Sequence, residues 1–315
     1  MELNPTQAVC PVCQHLGAVL VQKYRYTHPA FANCRIVQCT DCGLYYAYPV
    51  PSAEQLSSYN SNYFSNAHGG VSQDQLTVAF HSAINLLRVV HVEQFADREQ
   101  KNIRRVLEIG PGAGHFVKHW LERHPDTSDY VAIESDNSCH PQLRQNGATV
   151  FSDLGTLPLQ PDLFDLVVIS HVLEHTENPA GFLSACVGHL REGGILFIEV
   201  PCLDFRHKSI DEPHLLFFDK APMLQLLSRT GFGSVKLSYH GNTIAELQKQ
   251  SKLTSLFTRI RNLLLRKKIL FLFGSSDSRL KDIADPLAKA VIKPFAAHKE
   301  QATQSWWLRA VAIKQ

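Results

Sequence analysis

Val106-Leu107-Glu108-Ile109-Gly110-Pro111-Gly112-Ala113-Gly114 packs an apolar run, an acid and three alternating glycines into nine residues. A run this short and continuous reads as a strand covered on both faces. The glycines after it permit a tight turn and let backbone approach a ligand closely. From His115 the pattern turns helical, and a helix N-terminus offers unpaired N–H groups. Outward from this stretch, apolar runs alternate with helical patterns over residues 103 to about 240, the signature of βαβ units. The strand candidates are RRVLEI, DYVAIE, ATVF, FDLVVIS, GILFIEV, GSVKLSY and, at the C-terminus, WWLRAVAIK. Seven strands with helices on both faces predict an α/β fold.

The glycine spacing is G-x-G-x-G, which differs from the dinucleotide fingerprint G-x-G-x-x-G. Further acids follow in order. Glu134 ends the run VAIE, where a carboxylate can accept both hydroxyls of a ribose, as in dinucleotide folds. Asp153 follows the third strand. Glu108, the glycines, Glu134 and Asp153, followed by FDLVVISHVLEH and LREGGILFIEVP, resemble class I methyltransferases that use S-adenosylmethionine (SAM). The resemblance implies a Rossmann-like, seven-stranded methyltransferase sheet. It also implies that Glu108 lies near the cofactor's amino group and that Gly110, Gly112 and Gly114 line its methionine part. Glu134 would hold the ribose, Asp153 the adenine amine, and His171 would lie nearest the methyl-transfer centre.

Cys10-Pro-Val-Cys13 and Cys39-Thr-Asp-Cys42 are separated by 25 residues. Each C-x-x-C can place two thiolates on one knuckle, and two knuckles complete a tetrahedral Cys₄ zinc site. A redox dithiol is the other reading. Cys34 is a spare. The pairs and the following LYYAYPVPSAEQLSSYNSNYF resemble the zinc-binding N-terminal domain of sugar C-methyltransferases. A closed Cys₄ site is structural, and a module this small draws much of its folding energy from the metal. The expected organisation is a zinc module at 1–50, a linker and packing helix at 51–102, and a SAM-dependent domain at 103–315. A helical insertion at 241–304 precedes the last strand.

His171-Val-Leu-Glu174-His175 follows the fourth strand. It is formally the H-x-x-E-H of some zinc proteases, but the strand context argues against that chemistry. Some quinone-type O-methyltransferases carry a metal-binding E-x-x-E-H there, and His171 replaces the first acid. Glu174 and His175 either fix the loop or meet substrate. Asp211-Glu212-Pro213-His214 resembles the H-E-H stretch of sugar C-methyltransferases, whose second His works with its preceding Glu. The resemblance makes His214 a general base, since histidine titrates near neutrality. Pro213 stands where that Glu would be, with Glu212 one residue earlier. Packing at a helix start is the alternative for His214.

The formal net charge of +2 on 315 residues argues against a nucleic-acid binder, which concentrates basic charge. The N-terminus lacks the basic and apolar regions of a secretory signal, and no run is long enough to span a bilayer. The expected compartment is the cytoplasm. Residues 247–273 carry seven lysines or arginines, with Leu253, Leu256, Phe257, Ile260 and Leu264 at helical spacing. They read as a solvated face, a substrate cap or peripheral contact with the inner membrane face. The expected function is SAM-dependent methyl transfer to a small molecule, a sugar, nucleotide-sugar or cell-envelope glycan. The competing readings are a zinc-containing RNA methyltransferase and a non-catalytic SAM-binding scaffold.

Overall fold

The computed structural model describes residues 4–68, 74–157, 163–249, 256, 259–264, 267 and 300–315. The chain opens with three antiparallel strands, β1 (Ala18–Lys23), β2 (Arg35–Cys39) and β3 (Tyr45–Tyr48). Helix α1 (Ala53–Asn60) follows at a capping box, in which Ser52 and Gln55 satisfy each other's backbone N–H groups. After α2 (Tyr63–His68) comes the long α3 (Gln75–Arg98), started by Asp74.

The alternating part then runs β4 (Arg105–Ile109), α4 (His115–Arg123), β5 (Asp129–Ile133), α5 (His140–Gln145), β6 (Thr149–Phe151) and β7 (Phe164–Ser170). It continues through α6 (Pro179–Gly188), β8 (Leu190–Pro201), β9 (Leu216–Phe217), α7 (Lys220–Arg229), β10 (Phe232–Thr243) and α8 (Ile244–Gln248). Short β11 (Glu300–Gln301) and long β12 (Ser305–Lys314) end the chain. The main sheet has the order β11-β10-β12-β8-β7-β4-β5-β6. Strands β4 to β8 pair in parallel, and β12 inserts antiparallel between β8 and β10.

The seven expected strands are all present in a Rossmann-like α/β sheet. The two-residue β11 adds an eighth at the edge, inside the stretch expected to be wholly helical. Tyr239 and His240 pair with Leu308 and Trp307 of β12 on one edge and with Gln301 and Glu300 of β11 on the other. The order turns at β4, whose successors run outward on either side. In such sheets ligands bind at the carboxyl ends of the strands where the order reverses.

Both faces of the sheet are covered. Val106, Leu166, Val168 and Phe197 face α3 and α4, packing with Val92, Phe116 and Trp120. Leu107, Ile109, Val167 and Ile198 face the other way, in a cluster that continues into Ile36, Val37 and Tyr46. The N-terminal sheet takes its fourth strand from β9, with Tyr45 opposite Phe217. The N-terminal unit is therefore joined by backbone pairing to the loop that follows β8.

Most of the basic stretch 247–273, including Leu253 and Phe257, lies outside the described residues. Leu256, Ile260 and Leu263 within it are exposed. Among the described residues no helix is long and apolar enough to cross a membrane.

Candidate active site

The turn between β4 and α4 holds all three glycines at positive φ: 66° at Gly110, 55° at Gly112 and 74° at Gly114. A Cβ at Gly110 would collide with Val172 Cγ2. One at Gly114 would stand 2.9 Å from Asn146 Nδ2 and Leu143 Cδ2. Glycine is needed on both grounds, since only it adopts this conformation freely. The turn is tied to the next strand. Gly110 N donates to Ile133 O at 2.8 Å, and Gly112 N donates to Glu134 Oε2 at 2.9 Å. Glu134 Oε1 accepts from Asp136 N at 2.9 Å.

Glu108 lies buried beneath the turn and accepts from Tyr130 Oη at 2.5 Å. Burial pushes its carboxyl up to about 7, against the opposing pull of Tyr130 and Arg88. Glu108, the glycines and Glu134 thus come together at the end of β4 and β5. Asp153 is exposed, and its carboxylate accepts from Gly155 N at 2.7 Å in its own turn.

The rest of the candidate site is made of side chains. His171 stands just past β7 at φ 56°, with its ring one-third exposed. Its Nε2 is 3.2 Å from Glu199 Oε1 and its Nδ1 is 3.4 Å from Glu174 Oε1. Partial burial pulls the imidazole down, but the two carboxylates outweigh it and hold it above its ordinary value. Glu174 and His175 end the short turn Leu173–His175. Burial pushes the Glu174 carboxyl up, yet the three surrounding histidines bring it down to about 2. Burial drives the His175 imidazole down to about 4.

His214 joins this cluster from the β8–β9 loop. Its ring centroid is 4.9 Å from that of His175, and Tyr24 Oη donates to its carbonyl at 2.8 Å. The carboxylate beside it is Asp204, with Oδ2 2.9 Å from His214 Nδ1 and 2.7 Å from Lys208 Nζ. Although burial opposes it, His214 and Lys208 hold the Asp204 carboxyl well below the usual carboxylate range. Glu212 turns elsewhere: it accepts from Thr27 N at 2.7 Å and also bonds Thr27 Oγ1. The structure brings His171 and His214 to one cluster and uses Glu212 to hold the loop against the N-terminal unit.

Glu199 was not singled out in the sequence. It accepts from Arg88 Nε at 2.7 Å and from Arg309 Nε at 2.6 Å, with all three buried. A signal existed. Each of the three charges interrupts an apolar run (LLRVV, LFIEV and WWLRAV), and fully buried charges must be paired.

Near the N-terminus, Cys10, Cys13, Cys39 and Cys42 place four Sγ atoms within 4.8 Å of one another. Cys10 Sγ is 3.5 Å from Cys42 Sγ, and Cys13 Sγ is 3.5 Å from Cys39 Sγ. None is in a disulfide, and Cys34 is buried apart with its thiol on Pro49 O.

Residues 85–237 match a family model described as a methyltransferase domain. A probable S-adenosylmethionine-dependent methyltransferase from Mycolicibacterium smegmatis is 28% identical over 156 residues, 46% of this chain and 58% of that protein. The chain therefore spans less than two thirds of that relative. A SAM-dependent methyltransferase structure from Thermotoga maritima superimposes at a TM-score of 0.46 and 16% identity, covering 75% of this chain and 90% of the other. One from Archaeoglobus fulgidus gives 0.45 and 18%, covering 80% and 98%.

Proposed function

We propose that the methyltransferase domain at residues 85–237 transfers the methyl group of SAM to a small-molecule acceptor. The observation that carries this reading is the glycine turn lying on Glu134, with the buried Glu108 beneath it. Free N–H groups at the start of α4, a carboxylate for ribose hydroxyls and a second for an ammonium are what a cationic nucleoside donor requires. Glu108, Gly110, Gly112, Gly114 and Glu134 form the donor half. Transfer from a sulfonium is a displacement, so holding the acceptor in line supplies much of the rate.

The acceptor enters from the side of the N-terminal unit. A polar cleft of about 460 Å³ lies there, lined by Thr27, Tyr59, Asn66, His207, Lys208 and Glu212. Lys208 lines it and also reaches Asp204, so the cleft adjoins the histidine cluster. This polar lining favours a hydroxyl-rich acceptor of the carbohydrate class.

The four cysteines suit zinc. Zinc–thiolate bonds near 2.3 Å in a tetrahedron set sulfurs about 3.8 Å apart, close to the separations between the two knuckles. The metal would stiffen the unit that forms the cleft's outer wall, and it leaves no open coordination position.

Isothermal titration with SAM tests the central claim. Micromolar binding is expected, and Gly112→Arg should abolish it. No binding at millimolar SAM, or binding unchanged by Gly112→Arg, would count against it. Methyl transfer to a panel of nucleotide-sugars, read by product mass, tests the acceptor class.

A further inference from the structure

Three side chains from two loops meet past the end of β7. Glu174 and His175 follow β7, and His214 precedes β9. The loops are fastened by backbone, with Leu215 N donating to Glu174 O at 2.7 Å. One ligand atom from each of Glu174, His175 and His214 lies within 4.8 Å of the others.

His175 Nδ1 is hydrogen-bonded to Pro213 O at 3.2 Å, which leaves the lone pair of this imidazole on Nε2. His214 Nδ1 stands 2.9 Å from Asp204 Oδ2 as an ion-pair contact without hydrogen-bond geometry. His175 Nε2 is buried without a hydrogen bond, 3.8 Å from Glu174 Oε1. Glu174 is 0% exposed, and neither of its oxygens accepts a hydrogen bond. His171 Nδ1 approaches one of them at 3.4 Å but without hydrogen-bond geometry. A wholly buried carboxylate with no donor is costly, and these atoms are closed to bulk water.

We infer that Glu174, His175 and His214 bind a divalent transition-metal cation. Two imidazole nitrogens and one carboxylate oxygen form a borderline donor set, suited to zinc, cobalt, iron or manganese rather than calcium. Pro213 O and Asp204 orient the ligands from behind, as outer groups do in metal sites with histidine ligands. Bonds of about 2.1 Å to nitrogen and oxygen would draw the three atoms inward from their present spread. Three protein ligands leave coordination positions open, as at catalytic metals.

This assignment makes His214 a ligand, and an acceptor oxygen takes an open position. That role in transfer rests on the proposed methyltransferase reading; the cation site itself does not. The four cysteines form a separate, all-sulfur site.

The test is manganese binding to the full-length chain carrying one equivalent of zinc, which the four thiolates take first, followed by electron paramagnetic resonance. Manganese is a poor competitor at thiolates, so the cysteine site stays filled with zinc. One manganese ion per chain is expected to lose its free-ion signal. Glu174→Gln keeps the side chain's shape and should abolish this uptake, as should His175→Gln. Asp204→Asn should weaken it by roughly 10- to 100-fold, the usual loss on removing an outer-shell partner.

Far-ultraviolet circular dichroism verifies that each variant is folded, and total metal by mass spectrometry should fall from two equivalents to one. Overturning results are a zinc-loaded chain that binds no second cation, or folded Glu174→Gln and His175→Gln variants that bind it as tightly as the parent. SAM titration of the same samples keeps the two ideas apart. SAM binding without a second cation sinks only this inference. A second cation without SAM binding sinks only the methyltransferase reading.

Discussion

The two halves of the candidate site are made of different material. The proposed donor half is largely backbone: three glycines at positive φ between one strand and one helix, tied to the end of the adjacent strand. The half proposed to face the acceptor is charged side chains, drawn from α3, the ends of β7 and β8, the loop before β9, and β12. A backbone site is specified by a few consecutive residues and tolerates change around it. A side-chain site stands or falls with buried charges that must neutralise one another across more than 200 positions of sequence. The difference predicts where substitution damages the whole fold and where it damages only binding.

The harshest break of that comparison is Glu199→Ala. Arg88 and Arg309 would lose the buried carboxylate they share, and removing one member of a buried ion pair costs about 3–5 kcal/mol. Urea unfolding followed by circular dichroism should reveal a loss of that size. Replacing all three by Arg88→Met, Glu199→Leu and Arg309→Met should recover much of it, because apolar packing substitutes well for a buried ionic group. A loss under about 1 kcal/mol from Glu199→Ala would mean that the network contributes little, and that the acceptor half is no more demanding than the donor half.

The same difference governs what could be read in the sequence. The strands of the main sheet, the glycine turn and its acids Glu108 and Glu134 were legible because period, spacing and turn chemistry are local. The pairing of β9 with Tyr45–Tyr48 was not, since two residues leave no periodic signal and the partner is 170 positions away. Asp204 was missed for a similar reason. It lies in a loop whose chemistry gives no reason to prefer it over Glu212, and only the fold sets it 2.9 Å from His214. The edge strand Glu300–Gln301 carries no apolar residue to betray it.

Gly110→Ala sharpens the comparison on the donor side. Alanine at a φ of 66° costs about 1–2 kcal/mol, and its Cβ would also collide with Val172 Cγ2. The combined loss should be about 2–3 kcal/mol, since overpacking adds to the strain. Adding Val172→Ala removes the collision and leaves the strain. The double variant should therefore recover part of the loss attributed to Gly110→Ala, which a double-mutant cycle in urea measures as a coupling energy. Strictly additive losses would mean that the turn moves away from Val172, and that the donor half is less rigid than its contacts imply.

The mildest effect is one of pH, and it concerns Glu108, one of the two carboxylates of the proposed donor half. Burial raises the Glu108 carboxyl from 4.5 to about 7, with Tyr130, Arg88 and Glu134 as its charged or polar neighbours. A raised carboxyl holds a proton in the folded chain between these values, where the unfolded chain has lost it. Its contribution to stability is thus full below 4.5 and is lost as pH rises through 7. SAM makes the opposite demand, since its ammonium needs the ionised form. SAM affinity should therefore rise with pH up to about 7 and fall below it by up to about tenfold per pH unit. Titrations between pH 5 and 8 read this slope, and Glu108→Gln should flatten it at uniformly weaker binding. A slope that survives Glu108→Gln would move the titrating group to Glu134, whose carboxyl burial also raises, or to the histidine cluster.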